Sequence, residues 1–157
     1  MFERVFAGHT QELVRRVVSG KHLTRVHGDA HVQNFFFPRD DGTGKTKIID
    51  WYTPDWVWQC WAGVSYLAYM VVRFWYPERR RWLEQSLLER YFAKLQAHGV
   101  SEYNYDDLWH DYRLAAILSL YVAIEEAVRV EAWKWYPQLE KAIRAFEDLK
   151  CLELLEG

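Results

Sequence analysis

The stretch from Leu23 to Trp51 constrains this chain more than any other. It reads L-T-R-V-H-G-D-A-H-V-Q-N-F-F-F, then a polar turn, then T-K-I-I-D-W. A β-prone run, Leu23 to Val26, leads into a polar loop, His27 to Asn34, and a second apolar run, Phe35 to Phe37, leads out. Pro38, Asp40, Asp41, Gly42 and Gly44 supply a turn. A third run, Lys47 to Ile49, ends on Asp50. The pattern predicts a small β-hairpin that presents Asp29, Asn34 and Asp50 near one another.

Those three groups suit phosphoryl transfer, in which a protein orients a hydroxyl, holds magnesium and neutralises developing charge. An aspartate can accept the hydroxyl proton. An Asn carbonyl and a second aspartate are hard oxygen ligands for Mg²⁺. The interval from Asp29 to Asn34 matches the D-x-x-x-x-N of a kinase catalytic loop, and Asp50 stands where the metal-binding aspartate of such a loop pair would stand.

His27-Gly28-Asp29-Ala30-His31-Val32-Gln33-Asn34 resembles the H-G-D-x-H-x-x-N motif of the aminoglycoside phosphotransferase and choline kinase-like family. Ile48-Ile49-Asp50-Trp51 resembles that family's I-D-W segment. Leu67-Ala68-Tyr69-Met70 is similar to its D-L-A-Y helix without the Asp, whose place Tyr66 takes. Asp111-Tyr112-Arg113 and Phe146-Glu147-Asp148-Leu149 also look like members of the family. The likeness covers almost the whole chain, as the family's C-terminal lobe only.

The resemblance implies a transferase that moves a phosphoryl group from ATP to a small-molecule hydroxyl. Asp29 would be the catalytic base, Asn34 and Asp50 would bind Mg²⁺, and His27 and His31 would brace the loop. It implies an α+β fold, mostly α-helical, in one domain over 1–157, with the catalytic hairpin at 23–51 and a helical remainder at 62–155. In the family an Asp in place of Tyr66 accepts backbone N–H groups of the loop, so the substitution predicts a looser loop, with about 1–3 kcal/mol for each orphaned donor unless Ser65 or water replaces the anchor.

No glycine-rich loop and no V-A-I-K-like strand precede Asp29. The expectation is therefore a lobe without its N-terminal ATP-binding partner, inactive alone and completed by a separate lobe or by a homo-oligomer. No nucleotide-binding residue is assigned. A non-catalytic remnant or interaction module of the same fold is the alternative. A metal-dependent hydrolase built on His27, Asp29 and His31 ranks last, because Gly28 breaks a helical reading of the His pair and no distant third ligand stands out.

Charge and composition exclude other classes. A net charge of −2 gives no broad attraction to nucleic acid or to an anionic membrane. Cys60 and Cys151 are isolated thiols, which fits a reducing cytoplasm better than a disulfide framework. Glu3 and Arg4 precede any apolar run, unlike a signal peptide. Ala62 to Val72 is too short to span a bilayer, and Arg73 closes it.

The remaining chain reads as helices. Phe2 to Val18 is amphipathic and Gly20 stops it. Tyr52 to Trp61, with Pro54, Trp56 and Trp58, reads as an aromatic loop. Gly63 to Trp75 is apolar on nearly all sides, the mark of a central helix. Pro77 opens a helix ended by Gly99, and Arg79, Arg80 and Arg81 read as its solvated start. Asn104 caps a helix running towards Val130, with Asp107 at its third position. Its acidic residues, Asp106, Asp107, Asp111, Glu125 and Glu126, and the following Glu131, read as solvated, with attraction of a cationic substrate as the alternative. Trp133, Trp135 and Tyr136 read as core between helices, with stacking on a sugar or caging of a quaternary amine as the alternative, and Pro137 as the start of a last helix.

Overall fold

The computed structural model describes residues 2–39, 44–51 and 60–155. Five helices dominate: α1 (Phe2–Ser19), α2 (Ser65–Phe74), α3 (Pro77–Ala97), α4 (Tyr105–Glu126) and α5 (Ala132–Asp148). Four two-residue strands, β1 (Thr24–Arg25), β2 (Phe35–Phe36), β3 (Lys47–Ile48) and β4 (Cys60–Trp61), form two antiparallel pairs. Short 3₁₀ turns occupy Val32–Asn34 and Cys151–Leu155. The fold is thus mostly helical with a little antiparallel sheet.

The α2, α4 and α5 helices pack on one another around Ala68, Val72, Ala115, Ala116, Ile117, Leu120, Ala142 and Ala145. Small residues at these crossings let the backbones approach closely. On α2, Ala68, Val71 and Val72 have no exposed surface, as the main apolar stripe of a central helix requires. The start of α4 is fixed by a capping box: the Asn104 side chain accepts from Asp107 N at 2.8 Å, and Asp107 Oδ2 accepts from Asn104 N at 3.1 Å. Gly20 and Gly99 end α1 and α3 with φ of 63° and 85°. Among the described residues no helix is long and apolar enough to cross a membrane.

Several expectations need correction. The run at Leu23 to Val26 does not join the hairpin; β1 pairs with β4, Thr24 opposite Trp61 and Arg25 opposite Cys60. Cys60 and Trp61 therefore form a strand where a loop was expected, while the Tyr52 to Gln59 part of that loop, and Asp40 to Gly42 of the turn, lie outside the described residues. Helix α4 ends at Glu126. Helix α5 begins at Ala132, and Pro137 lies inside it. Trp133 and Tyr136 are 72% and 52% exposed, so neither is core.

The arginines depart furthest from expectation. Arg80 is 1% exposed. It donates to Glu84 Oε2 at 2.7 Å and to Asp148, tying α3 to the end of α5. Arg81 reaches the same Asp148 at 2.7 Å, and the guanidinium of Arg79 lies 4.4 Å over Trp75. Arg73, in the last turn of α2, is also 1% exposed. Asp111, expected in solvent, is 2% exposed. It accepts from Arg16 Nη1 at 2.9 Å and Tyr103 O–H at 2.8 Å, joining α1 to α4.

Candidate active site around the Asp29 loop

The loop from His27 to Asn34 is held at several points by its own residues and by α2. Gly28 has φ 95°, a conformation glycine adopts without a Cβ penalty. Its N–H is donated to the Tyr66 hydroxyl. Burial raises the Tyr66 pKa to about 12, so the phenol keeps its proton while its oxygen accepts. Asp29 N–H donates to His27 Nδ1 at 3.2 Å, and His27 Nε2 lies 2.8 Å from the Ile49 carbonyl. That pairing puts the ring proton on Nε2. His27 is 4% exposed and spans from the loop to the end of the hairpin.

Asn34 is buried, and its Nδ2 donates to the Asp29 carbonyl at 2.8 Å across the turn. The hairpin follows at once: Phe35 pairs with Ile48 and Phe36 with Lys47, and Ile49 N–H donates to the Asn34 carbonyl at 3.0 Å. This register carries Asp50 back beside the loop. Asp50 is exposed with φ 56°, an uncommon left-handed conformation that Asp tolerates better than most residues.

The Asp29 carboxylate is held at one oxygen and approached at the other. Tyr69 O–H donates to Oδ1 at 2.9 Å, and His31 Nε2 stands 3.3 Å from Oδ2. The Asp29 side chain remains 39% exposed, so it is fixed yet reachable. It forms one wall of a cleft of about 310 Å³, lined also by His31, Tyr69, Arg73, Phe74, Glu126 and Gln138. Asn34 and Asp50 are not among the residues lining that cleft. Burial, aided by the bond to Asp29, lifts the Tyr69 pKa to about 12, against an opposing pull from Arg73.

The polar cleft residues Tyr69, Arg73 and Gln138 escaped the sequence reading in this role, and Glu126 entered it only as one of several acidic residues that could attract a cation. A signal existed for two. Tyr66, Tyr69 and Arg73 stand at i, i+3 and i+7 on an otherwise apolar helix, which puts their polar tips along one stripe. Glu126 and Gln138 come from α4 and α5, and only the packed fold brings them to the cleft.

The acidic residues after Tyr121 do not make a negative funnel. Glu125 pairs with Arg129 at 2.5 Å, Glu126 with Arg73 at 2.6 Å and Glu131 with Lys134 at 2.8 Å. Among the described residues no group of three His, Cys, Asp or Glu side chains could hold a metal ion. An ion at this loop would need Asn34 as well as carboxylates. No family model, curated protein or solved structure matches the chain.

Proposed function

We propose that this chain is the acceptor-side lobe of an ATP- and magnesium-dependent phosphotransferase acting on a small-molecule hydroxyl, as its resemblance to aminoglycoside phosphotransferases implies. One observation carries the reading: the Asp29 carboxylate, held at Oδ1 by the Tyr69 hydroxyl and with His31 Nε2 3.3 Å from Oδ2, lies on the wall of a cleft large enough for a small acceptor. A base in that position can take the proton of a hydroxyl bound in the cleft. Tyr69 and His31 orient it, and Tyr66, His27 and Asn34 keep the loop in shape.

Magnesium fits the donor chemistry. Asn34 Nδ2 is committed to the Asp29 carbonyl, so Oδ1 is the amide atom with which Asn34 can meet a cation, and Asp50 adds an exposed carboxylate. Mg²⁺ commonly uses one or two protein oxygens plus substrate phosphates and water. Bound there, the ion would neutralise charge on the transferring phosphoryl group. The grip on the nucleotide phosphates is assigned to a second lobe, in the same chain or another.

Mn²⁺ titration of the isotopically labelled chain tests the metal assignment. Paramagnetic line broadening should centre on Asn34 and Asp50 and vanish in Asp50→Asn. Broadening that ignores this substitution would remove magnesium from the reading. The non-catalytic interaction module draws support from a different observation: Phe36, Phe37 and Trp51 are 58%, 62% and 48% exposed at the hairpin. That reading expects association through the hairpin and no localised Mn²⁺ effect.

A further inference from the structure

Arg73 forms part of the same cleft as Asp29, yet its guanidinium is 1% exposed and only partly paired. Nη2 donates to Glu126 Oε1 at 2.6 Å and to Gln138 Oε1. Nε and Nη1 are buried and have no hydrogen-bond partner among the described residues. The Tyr69 and Phe74 rings lie 4.6 Å and 5.5 Å from Cζ, which eases burial of the charge but supplies no oxygen lone pair for the N–H groups. A buried donor without an acceptor costs about 1–3 kcal/mol, more on a charged group.

Arg80 shows what a purely structural arginine looks like in this fold. It is equally buried and its Nε is likewise unpartnered among the described residues, but Nη1 and Nη2 meet two different carboxylates, Glu84 and Asp148. Arg73 meets one carboxylate and a neutral amide, both on a single nitrogen, and the carboxylate side chain is 31% exposed. Arg73 lines the same cleft as the proposed base, Asp29.

Resting on the phosphotransferase reading, we infer that the acceptor compound carries an anionic oxygen group, a carboxylate or a phosphate, besides the hydroxyl presented to Asp29, and that Arg73 selects it. A neutral polyol would also offer oxygens, but a hydrogen bond to an ionised acceptor is roughly twice as strong as a neutral one. A polycation has little to attract it, since Glu125, Glu126 and Glu131 are already paired.

Nuclear magnetic resonance of the intact chain tests this directly, through the Arg73 Nε–H signal. The probes are glycerate, threonate and gluconate, each against its matched polyol, with glycerol phosphate to separate phosphate from carboxylate and glucosamine as the cation. At least one anionic hydroxy compound should shift the Arg73 signal saturably and bind at least about tenfold more tightly than its polyol, the margin of a charged over a neutral hydrogen bond. Arg73→Gln should abolish the margin, and Arg73→Lys should recover part of it. Equal or tighter binding of the polyols or glucosamine, no binding by any probe, or a margin that survives Arg73→Gln would overturn the inference. If Arg73→Gln fails to fold, the wild-type Arg73 signal still decides. Binding is read without nucleotide, so a failure of phosphoryl transfer leaves this result separate.

Discussion

The Tyr66 hydroxyl accepts the backbone N–H of Gly28, from a residue 38 positions away. The loop thus has its anchor on α2 although the position offers no carboxylate. A phenol with one accepting oxygen replaces one such bond, and His27 Nδ1 takes the Asp29 N–H at 3.2 Å. The backbone N–H groups of Gly28 and Asp29 thus both have partners.

Tyr66→Phe removes the acceptor and keeps the ring. It should destabilise the chain by about 1–3 kcal/mol, the range for a stranded buried donor. Amide exchange at Gly28 should accelerate more than exchange in α4. An unchanged Gly28 exchange rate would show that the bond does not hold the loop.

His9 should make the fold acid-sensitive. It is 2% exposed with Nε2 unpartnered among the described residues, and its pKa is lowered to about 4, chiefly by burial, against a backbone bond at Leu114 and the charge of Glu12. The unfolded chain takes up a proton near pH 6.5 while the folded chain resists until about 4. The contribution is therefore intact above pH 6.5 and lost as pH falls towards 4. The whole shift amounts to about 3 kcal/mol, of which about 2 disappears between pH 7 and pH 5. Urea unfolding at those two pH values measures it, and His9→Gln should flatten the dependence. The same loss in the variant would place the sensitivity elsewhere.

Asp111 should matter far more than its place in an acidic helix suggests. Removing its carboxylate strands the Arg16 guanidinium, whose side chain is 11% exposed, and the Tyr103 hydroxyl. Breaking one side of a buried pair costs about 3–5 kcal/mol. Asp111→Ala should show that loss in chemical denaturation, whereas Asp106→Ala on the same helix should stay within about 0.5 kcal/mol. Equal small losses would show that the Asp111 network contributes little.

Helix positions were legible because they are local. The apolar repeat marks α1, α2 and α3, and Asn104 with Asp107 marks the start of α4. What depends on distant partners was not. A two-residue strand such as β1 gives no periodicity, and its partner at Cys60 lies beyond the hairpin. Arg80 reads as solvated until Asp148, on α5, folds back against it. Pro137 reads as a helix start because proline is favoured there, yet it sits in the helix interior here. At the site, the polar Asp29 loop and the β2–β3 pairing that follows it showed in the order of residues. The cleft did not, since α2, α4 and α5 each supply part of it.

The most direct test of the phosphotransferase reading is ATP consumption against a mixture of sugars, polyols and hydroxy acids. It compares the chain alone, the chain with an aminoglycoside phosphotransferase-type N-terminal lobe supplied in trans, and the same pair carrying Asp29→Asn. Orientation of bound reactants is worth about 7–11 kcal/mol, so without a grip on the phosphates turnover should be negligible. The account predicts no turnover by the chain alone, turnover with the added lobe, and its loss in Asp29→Asn. Turnover in the reconstituted pair that is unchanged by Asp29→Asn would contradict it.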